Sequence, residues 1–494
     1  MAAIITRDEA TSDLLHAAAY LVEGIESVDE MSDAMNAVVP RFLERGEVDV
    51  AAALADITIE PLARDRLLAL VAEKCIEVND DDYSMQLVEA IEEEALVAAA
   101  MERIALKMVE RGDFDRALKI AEELSHSDAI FSALARASYG EGDFDQAFTF
   151  ASRISIPASR ALLSIALARI AMESDSVVEF GNQINNAERH AAETDLPEEA
   201  AGILLESGNL CLEANRGDLA IPKFEKVREI AETLSWPHRD NLLGASAAGL
   251  FASGSETLAD IALDLVTDKA VIARTLSTFA ADLRKGGDIS GALESLDEAF
   301  LILDGQRDRE IRDYRSNNTS WRAVAVQYAL CDSGEGAVKV IGRIQDEETR
   351  ASSASQCAVV AADSNRNADW RTCFDLIAEP LVESMTLIAI AEMYRKNNDI
   401  ESSGKLIEEC QSRLSMIKQP VAASSLGTEL FDFHCRSHNR DAASVSLTEA
   451  LAACSSIVNQ SSQAVALARL STRADSHGFI LNDSEKAVLE QVIR

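Results

Sequence analysis

Proline and glycine are scarce, 8 and 22 in 494 residues, and aromatic side chains make up only 5%. So few breakers leave long uninterrupted stretches, and the abundant alanine, leucine and glutamate favour helix, so an almost all-α protein is expected. No stretch approaches 18 uncharged apolar residues, which argues against a membrane span. The opening MAAIITRDEATSDLLHAAAYLVEG carries Asp8, Glu9 and Asp13 where a secretory leader needs a basic flank and an unbroken apolar run. Eight cysteines stand singly with no CxxC pair, which reads as small core residues in a reducing compartment, so a cytoplasmic protein is expected. Also missing are GxGxxG after a strand, GxxxxGK[ST], HExxH and GxSxG. The expectation is a non-enzyme with no cofactor.

What is present is apolar surface in quantity, 48% of residues, together with 26% charged residues. Basic residues number 46 and acidic ones 84, giving −38, and residues 1–250 hold 21 basic and 48 acidic groups of that total. A field of this sign repels nucleic acid and anionic lipid heads and favours encounter with basic partners. The chain exceeds the roughly 250–300 residues that one core supports, so it must be several domains or an array that grows without thickening.

The array is visible in the motif GDFDRA at 112–117, which returns as GDFDQA at 142–147. Apolar residues before the first copy (Met101, Ile104, Ala105, Met108) and after it (Phe114, Ala117, Leu118, Ala121) recur every three or four positions. Two amphipathic helices joined by a tight turn fit this pattern. Gly112 and Gly142 permit the left-handed backbone that ends the first helix, and Asp113 and Asp143 are placed to cap the second. Ala105, Ala117 and Ala121, with Ala135, Ala147 and Ala151, are small where the helices cross. A hairpin of 30 residues cannot bury its own apolar faces, so each must stack on the next. Similar turns are expected at Gly46, Asn79, near Asp175, Asn215, Gly254, Gly287, Asp332, Ala368, Asn398 and His438, about 12 hairpins in all.

Three segments carry a closer pattern. SGNLCLEANRGDLAIPKFEKV sets Gly208, Ala220 and Phe224 at fixed spacing, WRAVAVQYALCDSGEGAV sets Trp321, Ala325, Tyr328 and Ala337, and IAIAEMYRKNND sets Ala391 and Tyr394. These residues resemble the packing positions of tetratricopeptide repeats over roughly residues 30–460, although no repeat is complete. The resemblance implies an all-α, right-handed α-solenoid of stacked antiparallel hairpins that binds a protein or peptide partner on its concave face. The expected organisation is a capping helix at 1–30, a first array at 31–310, and a second array at 311–494 with its own terminal capping helix. Polar stretches at 186–200 and 303–321 are expected to be long loops or seams, with Pro197 ending a helix and the boundary near 310.

The same resemblance places groove-facing residues at set distances before each turn, and so selects Arg136, Tyr139, Arg274, Arg284, Arg322 and Arg395. Guanidinium groups there would suit carboxylates, which they bind through two parallel bonds. The competing reading pairs these arginines with acidic neighbours in adjacent repeats. Repeats that clamp a peptide's terminal carboxylate use Lys and Asn; Asn209 fits, but Leu205 stands where Lys is needed. Other motifs dissolve on inspection. The two RGD triplets, 111–113 and 216–218, fall at repeat turns. Asp80, Asp81, Asp82 and Glu92 fail as a calcium loop because Gln86 stands where the bend needs glycine, and His434, Cys435, His438 and Asp441 lack a second ligand pair for zinc. No metal is expected. The sequence reads as a protein-binding scaffold, with an acidic assembly factor for a basic client, or a supporting subunit of an enzyme, as alternatives.

Overall fold

The computed structural model describes residues 3–305, 314–363, 370–414 and 416–494, which form 28 helices and no strand. Consecutive helices pair as hairpins, and first helices of successive hairpins pack side by side, as Pro61–Glu77 does on Glu94–Glu110 and Pro380–Lys396 on Pro420–Arg436. The described residues thus form an array of helical-hairpin repeats. Left-handed residues occur at Gly46, Asn79, Gly112, Gly142, Asp175, Asn215, Gly254, Gly287, Asp332, Asn398 and His438, the turns expected from the sequence. Ala368 lies outside the described residues, and Gly478 adds one the pattern did not announce.

The packing residues are where the repeat grammar needs them. Phe224 is fully buried, and its ring is sandwiched between Gly208 and Gly249, where an added Cβ would come within 2.7 and 2.4 Å of it. Tyr328 is buried and donates to Asp297 at 2.5 Å, while its ring fills the space above Gly336. Ala105, Ala117, Ala121, Ala135 and Ala147 are buried, and Ala151 is half-buried. Asp143 caps its helix by accepting from the Gln146 N–H at 3.0 Å. Asp113 does not cap; its carboxylate meets Arg111 instead.

Both polar stretches are more helical than the sequence suggested. Pro197 begins the helix Pro197–Glu213 rather than ending one, because the first turn needs no N–H from it. Ser316–Ser320 fall inside the helix Tyr314–Leu330, with Ser320 buried and donating to the Ala270 carbonyl at 2.7 Å. Small hydroxyl side chains satisfied by a neighbouring helix leave no apolar period to read. The boundary expected near 310 lies outside the described residues.

The chain divides into two compact units, residues 125–377 and residues 1–124 with 378–494. In the second, Gln460–Ser476 packs along Leu14–Glu23, and the next helix, Val28–Arg45, packs beside Gln460–Ser476 and continues the row. Gly24, at the end of Leu14–Glu23, meets Gln460, whereas Arg45 joins Asp13 to Ser471 and Asp475 at the other end. The two helices therefore run antiparallel as the halves of one hairpin, although they come from opposite ends of the sequence. Asp483–Val492, which follows Gln460–Ser476 in the chain, packs instead on Arg440–Ser455 and Arg7–Ser12. The Leu14–Glu23 helix buries Leu14, Leu15, Ala17, Ala18, Ala19, Leu21 and Val22, and its half-buried polar residues His16, Tyr20 and Glu23 share one face.

A second device links successive hairpins. Asp65 accepts from the backbone N–H groups of Glu92 and Glu93, both at 2.9 Å. Asp128 takes Ser155 and Ile156 at 2.9 Å, and Asp240 takes Thr267 and Asp268 at 2.9 and 2.6 Å. In each case an aspartate in the first turns of one first helix satisfies the free donors just ahead of the next first helix, 27 and 28 residues on.

Candidate functional site

Five of the six selected residues lie in the 125–377 unit. Arg136, on Asp128–Gly140, and Arg322, on Tyr314–Leu330, are exposed, and neither has a carboxylate partner among the described residues. Arg274 and Arg284 share the helix Lys269–Lys285, which packs beside Tyr314–Leu330. Arg274 donates to the Asn241 side-chain oxygen at 2.8 Å, and the buried Nε of Arg284 has no hydrogen-bond acceptor. Three arginines with open donors or only a neutral acceptor thus stand on two adjacent first helices. Tyr139 sits differently: it is buried, edge-on to Phe144 at 5.0 Å and hydrogen-bonded to Glu179, and burial first, then Glu179, pushes its hydroxyl up to about 12. It lines a cleft between hairpins.

Arg395 lies in the other unit and binds Glu392 through two bonds of 2.8 and 2.9 Å. That contact holds the Glu392 carboxyl below its ordinary range, and Arg436 reaches the same group at 3.4 Å. The pattern repeats along the first helices there. Arg103 meets Glu73 at 3.8 Å, Lys107 meets Glu77 at 3.2 Å, Arg473 meets Glu429 at 3.1 Å and His477 meets Asp432 at 2.7 Å, each across one repeat. Pairing across repeats thus describes Arg103, Arg436 and Arg473, whereas Arg395 pairs within its own helix.

A second charge hub was not visible in the sequence. Arg45, 17% exposed, binds Asp475 at 2.7 and 2.9 Å, Asp13 at 2.9 Å and Ser471 at 2.8 Å. His16 and Arg45 hold the Asp13 carboxyl far below the usual carboxylate range despite its burial, and Asp13 in turn raises His16. The partners lie 430 residues apart, beyond any periodic signal. The largely apolar run LLHAAAYLV was the available clue.

Eight free thiols are present, all buried except half-buried Cys435, and burial pushes Cys75 and Cys211 up to about 11. Such thiols are poor nucleophiles. Among the described residues no three His, Cys, Asp or Glu side chains converge as metal ligands, and no helix is long and apolar enough to cross a membrane.

No protein-family model matches the chain, and no curated protein matches it. Solved structures similar to it include the human IFIT1 dimer with m7Gppp-AAAA, at 13% identity, covering 72% of this chain and 76% of that one with a TM-score of 0.23. Another is the APC/C hetero-tetramer Cut9-Hcn1, at 13% identity, 96% and 91% coverage and a TM-score of 0.22. A third is a circular tandem repeat protein with a novel repeat topology, at 15% identity, 97% and 93% coverage and a TM-score of 0.14. Scores this low transfer no function.

Proposed function

We propose that this chain is a non-enzymatic scaffold that binds a protein or peptide partner, with Arg136, Arg274, Arg284 and Arg322 as anchors for carboxylates of that partner. The observation that carries the reading is the presence, in a chain of net charge −38, of exposed Arg136 and Arg322 without carboxylate partners among the described residues. Cations surrounded by so many acids ordinarily find one. Stacked hairpins fix such anchors in advance, so little ordering opposes binding and a few contacts dominate affinity. Arg395, already held by Glu392, is an anchor only if a partner displaces that contact.

The test is affinity capture from source-cell lysate by the intact chain and by a variant carrying Arg136→Glu, Arg274→Glu, Arg284→Glu and Arg322→Glu, after circular dichroism confirms folding. A protein held by the first and lost by the second supports the reading. Equal retention by both removes the arginine face from it.

A further inference from the structure

Exposed aromatic rings are rare here: Phe144 at 58%, Phe148 at 76% and Trp236 at 41% are the large ones among the described residues. Two of these three line one cleft in the 125–377 unit. Phe144 and Phe148 stand one helical turn apart on Phe144–Ala151, and the cleft between them and the next hairpin, Pro157–Glu173 with Val177–Ala191, has a volume of about 340 Å³. Leu163 and Leu167 form its apolar floor. An apolar slot with two rings at its lip is the usual form of an anchor pocket.

Its polar end asks for an acceptor. Arg160 lines the cleft; its Nη2 donates to Glu193 at 3.1 Å, yet its buried Nε has no hydrogen-bond partner. Arg189 is exposed on the same wall, and its one polar contact is with the neighbouring His190 ring at 3.4 Å. The cleft's own carboxylate, Glu179, is engaged by Tyr139 and by Gln183 at 2.9 Å. It lies ten residues before Arg189 on one helix, about 15 Å away at 1.5 Å per residue. The guanidinium groups and the apolar slot are therefore adjacent; Glu179 is at the far end, and Glu193, bonded to Arg160 and to His190, is the anion with which an acidic ligand must share or exchange these cations.

We propose that this cleft is a second docking site, taking a partner segment that combines a bulky apolar side chain, seated against Phe144 and Phe148, with a neighbouring carboxylate held by Arg160 and Arg189. The proposal rests on the reading of the chain as a binding scaffold but not on the arginine face of the first helices. A carboxylate at this place would satisfy the open Arg160 Nε, which an apolar or basic segment leaves unpaired.

The test is selection of a random displayed 12-residue peptide library on the full chain, followed by fluorescence anisotropy with a selected peptide. Because Phe148 and Arg189 are exposed, Phe148→Ser and Arg189→Glu should fold, and thermal melts check this. Selected sequences should share an acidic residue next to Phe, Leu, Ile or Met. Each of the two variants should weaken binding about tenfold or more, while Arg322→Glu leaves it unchanged. Failure to select any peptide, sequences without the acidic residue, or affinity unaffected by Phe148→Ser and Arg189→Glu would overturn the proposal. Loss through Arg322→Glu alone would assign the peptide to the first-helix face instead.

Discussion

The two compact units are built from the same hairpins but use their charges differently. In residues 1–124 with 378–494, Arg103, Arg436 and Arg473 on the first helices turn to carboxylates of the adjoining repeat, and Arg45 joins residues near both ends of the sequence. In residues 125–377, Arg136 and Arg322 face solvent, and two phenylalanine rings stand exposed beside a cleft. The difference teaches that repeat architecture fixes where a side chain points but not what it meets. Cross-repeat pairs form in both units, Arg169 meeting Glu213 at 2.9 Å in residues 125–377, but Arg136 and Arg322 stand outside them and stay open to a partner.

Phe224→Ala should have the largest effect, because the ring fills the space that Gly208 and Gly249 leave for it. A loss of about 3–5 kcal/mol in urea unfolding is expected, and packing rather than charge then dominates this unit. In the other unit the comparable weak point is electrostatic. Arg45→Ala should cost about 2 kcal/mol, below the range for fully buried pairs because Asp475 is partly exposed. Hydrogen exchange should accelerate together in Leu14–Glu23 and Gln460–Ser476, since neither helix has another hairpin partner; acceleration in only one would break the account of a shared hairpin.

Asp240→Asn should cost about 1–2 kcal/mol by weakening the clasp to Thr267 and Asp268. Bonds from these two residues hold the Asp240 carboxyl below its ordinary value against the opposing effect of burial. Its stabilisation is thus present above the unfolded value of about 3.9 and is lost as pH falls through the folded one. The variant should show a flatter acid limb in a pH series of urea midpoints.

His16 acts with the opposite sign. Its hydrogen bond to Asp13 raises its ionisation above 6.5, so its contribution is full below that value and fades as pH rises through the folded one. Wild type should lose slightly more stability than His16→Gln between pH 6 and pH 8. Smallest of all, Arg136→Ala and Arg322→Ala should change stability by no more than about 0.5 kcal/mol, because neither arginine has a carboxylate to leave behind. A larger loss would mean that these two are structural after all.

Local turn chemistry made most of the fold legible. Gly, Asn and Asp tolerate the left-handed conformation, so the turns at Gly112, Gly142, Asn215 and Asn398 could be read from residue type and spacing alone. Gly208 and Phe224 were equally plain, since a missing side chain and a large ring complement each other at fixed spacing. The first half of Tyr314–Leu330 hid its period because its buried positions, Asn317 and Ser320, are polar. The site was less legible. The register that found exposed Arg136 and Arg322 also chose Tyr139, which turns inward to Glu179, and Arg395, which Glu392 holds. A one-dimensional register specifies a helix face, whereas pairing depends on which acid, on the same helix or in the next repeat, comes within 4 Å. The Arg45 hub depends on the ends of the chain meeting, which no local pattern encodes.

The most direct measurement is the rate at which phenylglyoxal modifies individual arginines in the native protein, read by mass spectrometry. The account predicts that Arg136 and Arg322 react first, with Arg45, Arg395 and Arg436 protected by at least about tenfold. Comparable rates at all five would contradict the distinction between paired arginines and the open Arg136 and Arg322.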